Sequence, residues 1–170
     1  AAPNLLDIVV DGRPIKAVAQ VTKQGFLFVF DRVTGRPVWP IEERPVPQST
    51  VPTEKSSATQ PFPTKPAPFD RQGVGPDDLI DFTPAIKEEA TKVLSQFRYG
   101  PIFTPPSLAD PNGTRGTIGL PAMTGGGNWQ GGAADPETGI VYVSSVTTPS
   151  VYVVHECEPG RTKVPTMKYC

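Results

Sequence analysis

The chain has 170 residues, and its 16 basic and 17 acidic side chains give a formal net charge of −1. Without a basic run this balance argues against a nucleic-acid partner, because phosphate binding needs a positive patch. The combined fraction of Pro and Gly, with 22 and 16 residues, is close to the fraction found in disordered proteins. The 41 Leu, Ile, Val and Phe residues are nevertheless enough to form a buried core. Val outnumbers Leu 18 to 7, which favours strands over helices.

Residues 1–41 predict four short antiparallel strands, about the content of one propeller blade. The expected strands are Asp7–Val10, Ile15–Thr22, Phe26–Phe30 and Arg36–Ile41. A tight turn at Lys23-Gln24-Gly25 separates the second strand from the third, and a second turn at Asp31–Gly35 follows the third.

Residues 42–116 interrupt the strand pattern with a Pro-rich insertion, because proline is excluded from sheet interiors and favours extended backbone. One helix is predicted over 83–98, where Thr83 can cap the first turn and Pro84 suits the first helical position. Its apolar face carries Ile86, Ala90, Val93, Leu94 and Phe97. Such a face needs a packing partner, so we expect an insertion wrapped over a scaffold rather than a free linker.

Residues 117–155 return to strands, separated by the glycine-rich bend GGGNW at 125–129. The expected strands are Thr117–Met123, Ile140–Val146 and Val151–His155. Residues 156–170 form a tail that we leave unassigned. Its two cysteines, Cys157 and Cys170, are too few for a zinc site, and two unpaired thiols are favoured over a disulfide.

A short repeat, Asp-x-x-Thr-Gly, occurs at Asp31–Gly35 and again at Asp135–Gly139. Each copy ends one strand and begins the next. The Asp is expected to accept backbone N–H groups across the turn, the Thr to add a hydroxyl and the Gly to adopt positive φ. The copies are too far apart for one blade, but subtracting the insertion restores a blade-sized spacing.

A specific family resemblance lies in the run AVAQVTKQGFLFVFDRVTGRPVW. It resembles the quinoprotein dehydrogenases, which use pyrroloquinoline quinone (PQQ), and Asp31–Trp39 resembles their tryptophan-docking repeat. The runs RPVPQS, TQPFPTKP, GPIFTPPS and GGGNWQGGAADPETGIVYV follow in the order of the membrane-type glucose, polyol and quinate dehydrogenases.

The resemblance covers nearly all of residues 1–155. It implies an all-β fold, a fragment of an eight-bladed β-propeller with about two blades, at 1–41 and 117–155. It also implies a docking role for Trp39.

The resemblance also implies three cofactor-binding residues. Lys23 would be the cation that contacts PQQ, although a solvated turn lysine is the simpler interpretation from the residues alone. Asn128 could hydrogen-bond to quinone or carboxylate oxygens, and Trp129 could pack against the ring. A structural Trp129 between blades is an equally weighted alternative.

We assign no catalytic residue and no metal ligand to this chain. In the family the general base lies in a Trp-Asp-x-Asp run, which would precede Ala1, and the ligands of the divalent metal, such as Ca²⁺ or Mg²⁺, also lie mostly upstream. The opening AAPNLLD has neither Met nor an apolar leader, so we expect an interior piece of a longer protein. The sole histidine, His155, is expected to lie at the surface.

The function implied is part of a PQQ-dependent dehydrogenase that oxidises a sugar, polyol or cyclic polyol and passes electrons to a membrane quinone. By the same resemblance it would work on the periplasmic side of a bacterial inner membrane, and the isolated chain would be inactive. The alternative is a non-catalytic β-propeller that serves as a binding or assembly platform. A Pro-rich extracellular structural protein is disfavoured, because the prolines are concentrated in the middle segment.

Overall fold

The computed structural model describes residues 1–52, 54–110, 112–158 and 168–170, and these are mostly short strands and loops. The strands are β1 (Asn4–Val10), β2 (Arg13–Val21), β3 (Leu27–Asp31), β4 (Ile41–Pro45), β5 (Thr59–Pro63), β6 (Ser107–Leu108), β7 (Thr117–Gly119), β8 (Gly132–Ala134), β9 (Val141–Val143) and β10 (Ser150–Val154). A single-turn 3-10 helix, Pro76–Asp78, precedes helix α1, Pro84–Leu94. None of the helices described is long and apolar enough to cross a bilayer.

The chain divides into two compact units. The first contains residues 1–45, 59–72 and 120–148. The second contains residues 46–58, 73–119 and 149–170. Strand pairing in the first unit joins β1, β2 and β3, β4 with β5, and β8 with β9, whereas β10 lies between β6 and β7 in the second unit.

The core of the first unit lies on one face of the antiparallel sheet β1-β2-β3. Along β2 the side chains of Ala17, Ala19 and Val21 are buried and alternate with more exposed ones, as the predicted face requires. Leu6 from β1 and Val29 from β3 pack with Ala17 and Ala19 in one buried cluster. This sheet fixes the ends of β2 and β3, and the turn at Lys23 joins those two ends.

The predicted fourth strand, Arg36–Ile41, was wrong. Only Pro37 forms a bridge, to Phe30, and one hydrogen bond lies on each side of it: the amide of Asp31 donates to the carbonyl of Arg36 at 2.8 Å, and the amide of Val38 donates to the carbonyl of Val29 at 2.9 Å. No further residue of 36–40 pairs with β3 beyond this bridge. The chain instead enters β4, which pairs with β5 inside the predicted insertion. Prolines occur there because a two-stranded ladder leaves each strand an edge where no N–H is needed.

The two Asp-x-x-Thr-Gly turns adopt the same structure, as predicted. Asp31 Oδ1 accepts the amides of Val33 and Thr34, and Asp135 Oδ1 accepts the amide of Glu137. The two glycines have φ of 73° and 71°. In each turn the glycine amide also donates to the Asp carbonyl, at 2.8 Å in the first copy and 2.9 Å in the second.

Helix α1 begins as predicted and ends earlier. The Thr83 hydroxyl accepts the amide of Ile86 at 3.3 Å, which caps the first turn. The helix ends at Leu94 rather than at residue 98, because the Arg98 backbone instead donates to Gly116 and accepts from Ile118, both at 2.8 Å. Of the expected apolar face, only Leu94 is buried.

The second half contains shorter strands than predicted. Residues 140–146 contribute only β9, which pairs with β8, and residues 117–123 contribute only β7, which pairs with β10. The expectation of unpaired thiols was also wrong. Cys157 and Cys170 form a disulfide with their Cα atoms 5.3 Å apart. The backbones of His155 and Cys170 exchange two hydrogen bonds of 2.8 Å, which brings the ends of this tail together. Residues 159–167 of the predicted tail lie outside the described residues.

Candidate functional site

Lys23 lies in the turn that joins β2 to β3, as the sequence predicts. The turn is closed by the amide and the hydroxyl of Thr22, which donate to the carbonyl of Phe26 at 3.0 and 2.9 Å. The side chain of Lys23 is exposed. Within the described residues its ammonium group forms no ion pair or hydrogen bond, so its charge is available to a ligand.

The glycine-rich bend lies directly against this turn. The amide of Gly126 donates a hydrogen bond of 2.9 Å to the carbonyl of Lys23. Gly125 has φ of 84°, and a Cβ there would lie 2.5 Å from the Cβ of Lys23. Two candidate segments that are far apart in sequence are therefore adjacent in the fold, and the contact requires glycine at position 125.

The glycines of the bend allow a close approach to other segments of the protein. A Cβ at Gly127 would collide with Val21 and would lie 2.9 Å from the ring of Phe69. The bend is thus packed on the end of β2 and on the segment that follows β5. Asn128 and Trp129 directly follow these packed glycines in the sequence.

The side chains of Asn128 and Trp129 form no hydrogen bond or ring contact with the part of the chain that the structure describes. Asn128 is half-buried, and its backbone carbonyl accepts the amide of Gly131 at 2.8 Å. Trp129 is 80% exposed. An indole this exposed can pack against a ligand ring or against another part of the protein, so both interpretations of Trp129 stay predictions.

Asp70 is a member of this cluster that the sequence analysis missed. Its carboxylate accepts hydrogen bonds from the hydroxyls of Ser145 and Thr147, the latter at 2.6 Å. Burial would raise the pKa of this carboxyl, but the hydrogen bonds from the two hydroxyls outweigh it and hold the pKa below its usual value. No motif surrounds Asp70, and its partners are distant in sequence, so no local signal could have found it.

The available side chains fit the chemistry of PQQ. A planar quinone that carries carboxylates is suited to a cation, a hydrogen-bond donor and an aromatic face. Lys23, Asn128 and Trp129 offer these three groups, and they lie on the turn and bend that contact each other. Among the described residues, no group of three or more acidic, His or Cys side chains could hold a metal ion.

Comparisons with known proteins agree with this chemistry. The model of the family described as "PQQ: Glucose/ethanol/alcohol dehydrogenase, beta-propeller domain" matches residues 1–168. The match therefore includes most of the tail that the sequence analysis left unassigned. No solved structure matches the chain.

Several curated relatives are quinoprotein or related dehydrogenases. Quinoprotein glucose dehydrogenase of Escherichia coli (strain K12) is 32% identical over 166 residues, which are 94% of this chain and 19% of the relative. Glycerol dehydrogenase large subunit of Gluconobacter oxydans (strain 621H) is 32% identical over 140 residues, 82% of this chain and 18% of the relative. Quinate/shikimate dehydrogenase (quinone) of Acinetobacter baylyi is 30% identical over 145 residues, 85% of this chain and 17% of the relative.

The chain thus spans about a fifth of the length of the curated relatives it matches. The family match covers nearly all of its residues, and the described strands pair in short, mostly antiparallel sheets, which is consistent with part of a propeller. The chain therefore belongs to the PQQ-dependent glucose, ethanol and alcohol dehydrogenase family, as part of its β-propeller domain.

Proposed function

We propose that the protein containing this chain is a PQQ-dependent dehydrogenase that oxidises a sugar, a polyol or a cyclic polyol. The observation that carries the proposal is the contact between the Lys23 turn and the glycine-rich bend, joined by the 2.9 Å hydrogen bond from Gly126. This contact gathers an available cation, an amide and an indole on adjacent segments. Relatives named for glucose, glycerol and quinate set the range of substrates that we propose.

Each of the three side chains has a proposed role. PQQ, when bound, supplies the electron acceptor for the equivalent of a hydride from the substrate carbon. Lys23 supplies positive charge where negative charge develops on the quinone oxygens. Asn128 donates hydrogen bonds to cofactor oxygens, and Trp129 covers part of the ring.

The remaining parts of the reaction are proposed for the full-length protein. The general base and the ligands of a divalent metal such as Ca²⁺ or Mg²⁺ would come from outside this chain. A membrane quinone is the proposed electron acceptor, supported by the "(quinone)" in the name of the quinate relative. The proposed site of action is the periplasmic side of a bacterial inner membrane.

The test uses the protein that contains this chain, expressed at full length as the apo form. PQQ is titrated by fluorescence quenching, and dye reduction is then measured with glucose, glycerol and quinate in the presence of Ca²⁺ or Mg²⁺. We expect PQQ binding and turnover of at least one of these substrates. A folded protein that binds no PQQ would instead support the non-catalytic platform.

The chain alone provides a second test. Purified residues 1–170, given PQQ and Ca²⁺ or Mg²⁺, should show no dye reduction above background, because the proposed base and metal ligands are absent from it. Turnover by this chain alone would show that the active site lies within these residues and that its assignment here is wrong.

A further inference from the structure

The three carbonyl groups of the Lys23-Gln24-Gly25 turn all accept hydrogen bonds from other segments. Gly126 donates to Lys23 at 2.9 Å, and the side chain of Gln72 donates to Gln24 at 2.7 Å. The amide of Phe69 donates to Gly25 at 2.9 Å. The direction in which Lys23 leaves the sheet is therefore set by the glycine-rich bend and by residues 69–72, and not by the turn alone.

Asp70 lies where these segments meet. A Cβ at Gly126 would lie 2.7 Å from its Oδ2, and a Cβ at Gly25 would lie 3.2 Å from its Cβ. Asp70 thus contacts the Lys23 turn on one side and the bend on the other. Its carboxylate accepts the hydroxyls of Ser145 and Thr147, so it also joins the segment after β9 to both.

The carboxylate is suited to this position because it is an acceptor only. Two hydroxyl donors converge on its two oxygens, and the amide of Arg71 also donates to Oδ1 at 2.7 Å. An ionised acceptor strengthens each of these bonds relative to a neutral one. An apolar replacement would leave the two hydroxyls without their acceptor and would weaken the attachment of the segment after β9 to the bend, to which the amide of Val146 also donates a hydrogen bond of 3.4 Å at the carbonyl of Gly126.

We propose that Asp70 is a positioning residue that fixes the Lys23 turn against the glycine-rich bend and so directs Lys23 at the cofactor. The inference rests on the proposed function, since it assigns Lys23 to PQQ. Asp70 itself need not touch the cofactor. A displacement of about 1 Å at a reacting centre can lower the rate by about 100-fold. A contact that holds the turn in place can therefore have a large effect on the rate.

The experiment compares five variants of the full-length protein: Asp70→Ala, Asp70→Asn, Lys23→Ala, the double variant Asp70→Ala/Lys23→Ala, and Asp31→Ala as a matched control. Asp31 is also an acidic side chain that accepts hydrogen bonds in the first unit, but it lies at the other end of β3, away from the bend. For each variant the Kd for PQQ, kcat at saturating PQQ and the thermal midpoint of the apo form are measured.

Asp70→Ala should raise the Kd for PQQ by about 10- to 100-fold, in the range of lost contacts that orient a ligand-binding group. Asp70→Asn should restore most of the affinity, because the amide oxygen still accepts one hydroxyl. Asp31→Ala should lower the thermal midpoint about as much as Asp70→Ala does. Its Kd for PQQ should stay within about 2-fold of wild type, since a turn contact away from the site changes stability alone. In the Lys23→Ala background, Asp70→Ala should add little, because coupled residues are not additive.

The results that would contradict these expectations distinguish the proposed function from the positioning role of Asp70. If wild type binds no PQQ, the proposed function fails, and the positioning role fails with it. If wild type binds PQQ but Asp70→Ala binds equally well, or if the effects of Asp70→Ala and Lys23→Ala add, only the positioning role fails. If Asp70→Ala does not fold, the variant Ser145→Ala/Thr147→Val removes the two hydrogen bonds from the hydroxyls and leaves the one from the amide of Arg71. An unchanged Kd in that variant likewise overturns the role.

Discussion

The amide of Gly126 and the carbonyl of Lys23 are joined by a hydrogen bond of 2.9 Å, although the two residues belong to different parts of the sequence. This bond makes the Lys23 turn and the glycine-rich bend one structural feature. A substitution in either segment is therefore expected to change the other.

Replacement of Lys23 tests the proposed cation. In the full-length protein, Lys23→Ala should lower kcat by about 10²- to 10³-fold, as the loss of one preorganised donor does in other enzymes. Lys23→Arg should be less harmful because it keeps the charge, although its planar group does not occupy the same space. Measurements of kcat, PQQ affinity and thermal midpoint separate the effects.

The stability of the Lys23 variants provides the control. An exposed turn lysine buries little apolar area, so the thermal midpoint should change little. Full turnover of Lys23→Ala at saturating PQQ would identify Lys23 as a solvated surface residue. A loss of activity that only follows the thermal midpoint would identify it as structural.

Gly125→Ala tests the contact between the bend and the turn. The new Cβ would lie 2.5 Å from the Cβ and 2.7 Å from the Cα of Lys23, so the backbone must move. Gly12→Ala is the matched control, because Gly12 has φ of 75° and nothing within 4 Å of an added Cβ. Both variants carry the cost of a left-handed residue, about 1–2 kcal/mol, and only Gly125→Ala adds overpacking, about 1–3 kcal/mol.

Urea unfolding of the two glycine variants measures this difference, and PQQ titration measures its consequence. Gly125→Ala should be the less stable variant and should bind PQQ more weakly, whereas Gly12→Ala should keep the affinity of wild type. Equal free energies of unfolding for the two variants would contradict the close packing of Gly125 on Lys23.

The carboxylates of the two Asp-x-x-Thr-Gly turns predict that the protein loses stability at acid pH. The amide of Val33 lowers the pKa of Asp31, and the hydroxyl of Thr138 lowers the pKa of Asp135, each below the usual 3.8. Folding therefore favours the ionised form of both carboxyls. Their contribution to stability is present above the pKa of the unfolded chain and is lost as pH falls through the lower pKa of the folded state.

Urea midpoints measured between about pH 6 and pH 2 test this sign, because the linkage follows from the difference in bound protons. The double variant Asp31→Asn/Asp135→Asn should be less stable than wild type near neutral pH and should lose less stability on acidification. A double variant with the same acid-side slope as wild type would contradict the role of these two carboxylates.

Local patterns in the sequence predicted the turns. Asp31, Asp135 and their glycines act within five residues, so the pattern alone determines the hydrogen bonds that form. The Lys23 turn and the start of α1 at Thr83 were predicted for the same reason. Family resemblance, and not periodicity, connected Lys23 with Asn128 and Trp129.

The features that sequence reasoning missed all depend on distant partners. The hairpin of β4 and β5 was missed because proline content argued against strands, and only the pairing partner decides whether a proline lies on an edge. Asp70 was missed because its two hydroxyl donors lie far along the chain. The end of α1 was misplaced because the Arg98 backbone pairs with Gly116 and Ile118.

The disulfide between Cys157 and Cys170 gives the last prediction. The pairing of His155 with Cys170 through two hydrogen bonds of 2.8 Å places the cysteines for bonding, and the disulfide closes a loop of sequence separation 13. For a loop of about 15 residues the chain-entropy contribution is about 3 kcal/mol. In the full-length protein, Cys157→Ser/Cys170→Ser should therefore expose the amides of residues 155–157 to faster hydrogen exchange.

Mass spectrometry of peptides under non-reducing conditions should show the linked pair, and Lys23-dependent properties such as PQQ affinity should stay unchanged. Two free thiols in the folded, air-oxidised protein would contradict the disulfide, and unchanged exchange in the double variant would show that the backbone pairing does not depend on it.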